Sequence, residues 1–256
     1  MRICLQRWIG WVQDFLFPLR TCIFCRKHGH FSAEEPWCAA CAEEMRREMA
    51  EENFCGRCGR GIEAGQAVCE LCAEEPPLFQ AGVHIGPYEG KLKQCIRSLK
   101  YHEQRFMAAA LGKMLAEKIR ERQEFSACEV VVPVPLSQER KRERGFNQSE
   151  LLARKIADET GKALDVRTLC RKRNTQSQTG FGPQERRQNI YGAFEAGEEL
   201  TGKTVLLVDD VYTTGATTGE CARVLLEKGV RAVWVAAAAA VAQNRKPAAE
   251  ERKEKA

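Results

Sequence analysis

Two sets of residues in this 256-residue sequence have the types and spacing to do chemistry. The first is Val205-Leu206-Leu207-Val208-Asp209-Asp210-Val211-Tyr212-Thr213-Thr214-Gly215-Ala216-Thr217. Four apolar residues predict a strand buried on both faces. Two carboxylates stand at its C-terminal end, where open α/β sheets place their ligand crevices. A Thr/Gly turn then opens a helix. The start of a helix presents backbone N–H groups without helical partners and a partial positive charge, which together suit a phosphate. Gly215 lets the backbone come close to such a ligand, and Thr213, Thr214 and Thr217 add hydroxyls. Asp209 and Asp210 would repel a phosphate they faced. They fit one step away, accepting hydrogen bonds from sugar hydroxyls and helping to hold Mg²⁺. A capped helix with no ligand would explain either feature alone; the whole ordered set argues for the ligand.

The second set is four Cys-x-x-Cys units: Cys22/Cys25, Cys38/Cys41, Cys55/Cys58 and Cys69/Cys72. Two thiolates three positions apart grip one edge of a tetrahedral Zn²⁺, and a second pair completes it. Eight ligands imply two closed sites, so the zinc expected is structural and not catalytic. Sequential pairing leaves twelve residues between the inner cysteines of one site and ten in the other, both suited to a zinc-ribbon hairpin. A cross-braced pairing satisfies the same spacing, and the sequence leaves the choice open. His28 and His30 read as ordinary loop residues.

The elements that must position these groups follow from apolar periodicity. Residues 3 to 17 read as a short amphipathic helix packed on the body of the protein; a membrane-surface helix is the competing reading. Residues 20 to 75 carry few periodic apolar positions and need a metal staple. A strand is expected over 79–88, helices over 89–100 and 104–122, then strands over 130–134, 164–169, 204–208 and 230–240. Helices are expected near 148–160 and from the Thr/Gly turn to about 228. Strands alternating with helices predict a parallel sheet covered on both faces. Residues 171 to 189 read as a basic, polar loop. The expected organisation is an N-terminal helix (1–19), a double zinc-binding module (20–76), a Rossmann-like α/β domain (77–242) and a charged, disordered tail (243–256).

Composition limits the class. Apolar residues make up 44 % of the chain, too many for a disordered protein, and the net charge of +5 is too small to prove a polyanionic partner. Thirteen cysteines would suit a secreted disulfide framework. However, Arg7, Gln13 and Asp14 interrupt the opening apolar stretch, and no small-residue cleavage site follows. Nor is that stretch long enough to cross a bilayer. The expectation is a cytoplasmic protein with reduced thiols and no transmembrane segment.

The stretch 205–217 resembles the 5-phosphoribosyl-1-diphosphate (PRPP) motif of type I phosphoribosyltransferases, with Tyr212 where that motif is usually aliphatic. Val132-Pro133-Val134-Pro135-Leu136, Arg144-Gly145-Phe146-Asn147-Gln148, Gln178-Thr179-Gly180, Glu185-Arg186-Arg187-Gln188-Asn189 and Gly192-Ala193-Phe194 narrow the resemblance to the ComF/GntX family. An N-terminal double zinc ribbon is typical of that family. The resemblance implies that residues 209–217 take the ribose and 5-phosphate, through Asp209, Asp210, Thr213, Thr214, Gly215, Ala216 and Thr217. It implies that the turn at Pro135 and Leu136 meets the pyrophosphate. A segment from Arg173 to Asn189, with Gln178, Thr179, Arg186 and Arg187, would close over the site and exclude water. Lys100, in a Leu-Lys-Tyr motif, would reach a phosphate. Arg140, Lys141, Arg142 and Arg144 alternate with Glu139 and Glu143, which suits a solvated helical face as well as a ligand site.

Two classes of function compete. One is a phosphoribosyltransferase that uses PRPP with Mg²⁺ and an acceptor the sequence does not reveal, or a PRPP-sensing regulator that has lost catalysis. The other is a protein that handles single-stranded DNA in DNA uptake and meets DNA or competence proteins through the zinc module.

Overall fold

A computed structural model of the chain describes residues 19–50, 53–99, 104–173 and 183–242. The expected N-terminal helix and charged tail lie outside the described residues.

The N-terminal segment opens with an antiparallel pair, β1 (Leu19–Thr21) and β2 (His28–Phe31), followed by α1 (Ala39–Met49) and the short α2 (Glu70–Glu74). The main body runs β3 (Gly82–Pro87), α3 (Gly90–Ser98), α4 (Met107–Glu121), β4 (Val130–Pro133), α5 (Gln138–Arg144), α6 (Gln148–Thr160) and β5 (Ala163–Leu164). It continues with β6 (Leu169–Arg171), α7 (Pro183–Ile190), β7 (Phe194–Ala196), β8 (Thr204–Tyr212), α8 (Ala216–Glu227) and β9 (Ala232–Ala240). Strands β3-β9-β8-β4-β5 form a five-stranded sheet in that order, and every pairing in it is parallel. β6 and β7 form a separate antiparallel pair.

Both faces of the sheet are covered, as its apolar strands require. On one face Leu206 and Val208 of β8 pack with Leu92 and Ile96 of α3, Leu111 and Leu115 of α4, and Leu152 and Ile156 of α6. On the other, Val205 and Leu207 pack with Cys221, Ala222 and Leu225 of α8 and with Phe194 of β7. Most of β9 is alanine, a poor strand former by propensity. Its place between β3 and β8, buried on both faces, overrides that preference.

The two cysteine-bearing segments join opposite layers. Met45 of α1, with Phe24 and Trp37, packs into the α3–α4–α6 layer. Cys55, Cys58, Cys69 and Cys72 pack into the α8 layer. The N-terminal segment therefore straddles edge strand β3, where Gly82 N–H donates to the Arg57 carbonyl at 2.8 Å.

Three expectations are corrected. The strand expected over 164–169 is two pieces, β5 in the main sheet and β6 in the hairpin, separated by a turn in which Asp165 accepts from the Thr168 and Arg167 amides. Helix α7, Pro183–Ile190, forms the C-terminal part of the basic stretch 171–189. β8 continues to Tyr212, pairing through Tyr212 with Ala240, so Asp209 and Asp210 lie within its last residues instead of beyond its end.

Candidate functional site

The C-terminal ends of β4 and β8 lie side by side, with Pro133 opposite Val208 and Val134 N–H donating to the Val208 carbonyl at 2.8 Å. This places the Pro135–Leu136 turn beside Asp209 and Asp210. Asn147 fixes the turn. Its Nδ2 donates to the Val134 carbonyl at 2.9 Å, and its Oδ1 caps α6 by accepting from Ser149 N–H at 3.1 Å. Ser137 caps α5 in the same way by accepting from Arg140 N–H.

Asp209 is held, not loose. Its Oδ1 accepts from Ser149 Oγ at 3.1 Å and from Asp210 N–H at 2.8 Å. Burial, and after it the adjacent Asp210 charge, push its carboxyl up to about 8. Beyond Tyr212 the chain turns at Gly215, whose φ of +81° is left-handed and favours glycine. A Cβ there would also overlap the Tyr212 hydroxyl. Gly215 caps α8, its carbonyl accepting from Gly219 N–H at 2.7 Å and from Thr218 Oγ1 at 3.2 Å. Thr214 Oγ1 accepts from Ala216 N–H at 3.4 Å.

Of the expected site residues, Asp209, Asp210, Thr213, Thr214, Gly215, Ala216, Thr217, Pro135 and Leu136 converge on this end of the sheet. Lys100, Gln178, Thr179 and the Arg186 side chain lie outside the described residues. Arg173 donates to the Asn189 and Tyr191 carbonyls, at the C-terminal end of α7, at 3.2 and 3.0 Å. Arg187 is ion-paired with Glu75 of the cysteine-bearing segment. It lines a cavity of about 300 Å³ behind the turn, with Leu71, Pro77, Ile190 and Gly215.

Three residues were not anticipated. Ser149 directly follows Asn147-Gln148. Arg171, stacked 5.3 Å from the Phe194 ring, is partly buried; burial and then the nearby Arg140 lower its pKa, while Asp209 and Cys221 act against them. Arg60 follows a Cys-Gly pair and reads in sequence as one more surface cation.

The cysteines form two clusters, Cys22/Cys25/Cys38/Cys41 and Cys55/Cys58/Cys69/Cys72, each with its four sulfurs within 4.8 Å of one another. The pairing is sequential, and the cross-braced alternative falls. Cys25 and Cys38 Sγ are 3.7 Å apart, as are Cys58 and Cys69 Sγ. Zn–S bonds of about 2.3 Å in a tetrahedron put sulfurs roughly 3.8 Å apart, so both sets fit Zn²⁺ with no position left for a substrate. His28 and His30 lie in β2 and belong to neither cluster.

A parallel sheet with paired acids and a Thr-Thr-Gly turn leading into α8 defines a phosphoribosyltransferase-type domain, and residues 101–256 match the phosphoribosyl transferase domain. Residues 12–73 match the double zinc ribbon domain. The chain belongs to the ComF/GntX family, in which the two are joined. It is 32 % identical over 201 residues to DNA utilization protein YhgH of Salmonella typhimurium, covering 77 % of this chain and 87 % of that one. It is 30 % identical over 224 residues to competence protein F of Haemophilus influenzae (84 % and 94 %). With competence protein ComFC of Bacillus subtilis the identity is 28 % over 205 residues (77 % and 80 %). Among solved structures, the allosteric regulatory enzyme of purine biosynthesis is 28 % identical with a TM-score of 0.34, over 50 % of this chain and 24 % of that one. No described helix is long and apolar enough to cross a membrane.

Proposed function

We propose that the chain binds PRPP, as its magnesium complex, at the C-terminal ends of β4 and β8, and transfers the phosphoribosyl group to an amine or base. The observation that carries this reading is the succession, within nine residues, of the Asp209–Asp210 pair, the left-handed Gly215 and the start of α8. The 5-phosphate sits on the backbone of Thr213 to Thr217, where α8 contributes its partial positive charge. Asp209 and Asp210 accept from the ribose hydroxyls. The pyrophosphate meets the Pro135–Leu136 turn, within reach of the charges of Arg171 and Arg140.

Transfer breaks the bond from the anomeric carbon to pyrophosphate and forms one to the acceptor nitrogen, which gives up a proton. Positive charge grows on the sugar and negative charge on the leaving group. Guanidinium groups held beside the latter favour that separation. Mg²⁺ supplies further charge neutralisation on the pyrophosphate. The segment from Arg173 to Asn189, with Lys100, Gln178, Thr179, Arg186 and Arg187, closes the site against water in this reading. The zinc-stapled segment (20–76) is structural and the catalytic body is 77–242.

The test is thermal stability with and without PRPP and Mg²⁺. A rise in Tm that disappears in Asp209→Asn/Asp210→Asn is expected, and pyrophosphate release in an acceptor screen separates transfer from binding alone. An unchanged Tm at millimolar PRPP overturns the reading.

A second reading, handling of single-stranded DNA, is supported by the relatives named for DNA utilization and competence. It is also supported by Tyr191, which is 66 % exposed, with the Arg223 guanidinium, itself paired with Glu220 and Glu227, 5.0 Å from its ring. Exposed aromatic faces stack bases. Binding that weakens steeply with salt and with Tyr191→Ala is expected; salt-insensitive or absent binding removes this reading.

A further inference from the structure

Arg60 is a buried cation. It is 3 % exposed, and among the described residues its guanidinium meets a cysteine sulfur and two backbone carbonyls. Its Nε donates to Cys58 Sγ at 3.3 Å. One terminal nitrogen donates to the Thr213 carbonyl at 2.5 Å and the other to the Val241 carbonyl at 3.3 Å. The guanidinium also lies over the Tyr212 ring, 5.2 Å from its centroid.

A guanidinium taken out of water costs several kcal/mol unless charge and hydrogen bonds compensate it. The group that meets it on the cluster side is Cys58 Sγ, a ligand of the second cluster. Four thiolates around one Zn²⁺ carry a net charge of −2, so the loaded centre is the counter-ion Arg60 requires. The other end of the side chain holds the phosphate turn. Thr213 is its first residue, and Tyr212 precedes it with its hydroxyl close against Gly215. Tyr212 is itself wedged from behind, with the His84 ring 5.2 Å away and the Phe79 ring 6.2 Å away, edge-on. Phe24, Trp37 and Met45, around the first cysteine cluster, pack into the opposite layer, and the described residues show no comparable link from that cluster to the turn.

We propose that Arg60 is a positioning residue through which the second cysteine cluster, and not the first, sets the geometry of the Thr213–Thr217 turn, so that ligand binding at that turn follows the metal loading of that one centre. As far as it concerns a sugar phosphate, the inference rests on the reading given under the proposed function; the link from Arg60 to the turn does not. Loss of the metal frees Cys58 from its fixed place, and oxidation of Cys58 and Cys69 to a disulfide by a thiol oxidant that takes up their two electrons removes its thiolate; either change releases the sulfur end of the Arg60 fork. Arg60 then leaves the Thr213 carbonyl, and the turn loosens.

Arg60→Met tests this, with Arg60→Lys keeping the charge but not the three-way fork. Three measurements are made on each full-length protein: zinc per chain, hydrogen exchange of the 212–217 amides without ligand, and affinity for PRPP with Mg²⁺. For Arg60→Met with both metals retained, we expect exchange at 212–217 at least tenfold faster and affinity at least tenfold weaker, with Arg60→Lys between it and wild type. Wild-type exchange and wild-type affinity in a folded, zinc-loaded Arg60→Met overturn the inference. If wild type itself ignores PRPP, the proposed function fails, and the exchange measurement still decides the role of Arg60. Should Arg60→Met not fold, stepwise zinc removal from wild type replaces it. Exchange at 212–217 should accelerate with the second equivalent released, from the buried cluster; acceleration with the first equivalent alone, or none with either, overturns the inference.

Discussion

Ser149 Oγ donates a 3.1 Å hydrogen bond to Asp209 Oδ1, tying the first turn of α6 to the acid near the end of β8. The bond orients the Asp209 carboxyl group beside Asp210. A net hydrogen bond is worth about 0.5–1.5 kcal/mol, so Ser149→Ala should weaken binding of PRPP with Mg²⁺ by roughly two- to tenfold, as read by titration calorimetry. Unaltered affinity would remove Asp209 from the sugar-binding set.

Asp209 also gives stability a pH dependence. Its folded pKa is raised from 3.8 to about 8 by burial and by Asp210, so between these values the folded state keeps a proton that the unfolded chain releases. The favourable contribution is complete below about pH 4 and is lost as pH rises through 8. Asp209→Asn should remove this fall. At pH 8 its Tm should exceed that of wild type by about 2–4 °C for each kcal/mol recovered, while at pH 4 the two should agree. Parallel Tm curves for the two proteins across that window would refute the assignment.

The two cysteine clusters should differ in lability. Cys25 is exposed and Cys38 partly so, whereas Cys55, Cys58, Cys69 and Cys72 are all buried. Two zinc equivalents per chain are expected by elemental analysis. A chromophoric chelator should remove them in two phases, and Cys25→Ser should abolish the fast phase only. A single phase, or a slow phase lost in Cys25→Ser, contradicts the assignment.

Gly59 and Gly82 let the second cluster lie directly on β3. A Cβ on Gly59 would overlap the Gly82 carbonyl, and one on Gly82 the Cys58 carbonyl; Gly59 also has a left-handed φ of +76°. Neither backbone can yield without moving the strand. Gly59→Ala should cost a few kcal/mol, lowering Tm by roughly 5–10 °C. Gly161→Ala is the control, with a similar φ of +68° and nothing within 4 Å, and should cost only about 1–2 kcal/mol. Equal losses in the two variants would show that conformation alone, and not the close approach of the chains, decides the cost.

Local pattern alone was enough for the parallel α/β class, the metal-ligand set and the Asp-Asp…Thr-Thr-Gly turn. Each depends on near neighbours in the chain: four apolar residues make a buried strand, thiolates three apart share a metal, and glycine permits a left-handed turn. The extent of β8 through Tyr212 was hidden, because Asp209 and Asp210 break its apolar run and only pairing with β9 carries the strand past them. The split of 163–171 into β5 and β6 depends on which partner strand each piece meets, and no periodicity reports that. The sequential pairing of the cysteines, the clusters' places in opposite layers and the capture of Thr213 by Arg60 across 153 positions of chain were likewise decided by packing. A single arginine beside a cysteine looks solvated in sequence; only the assembled core takes it out of water and makes its partners matter.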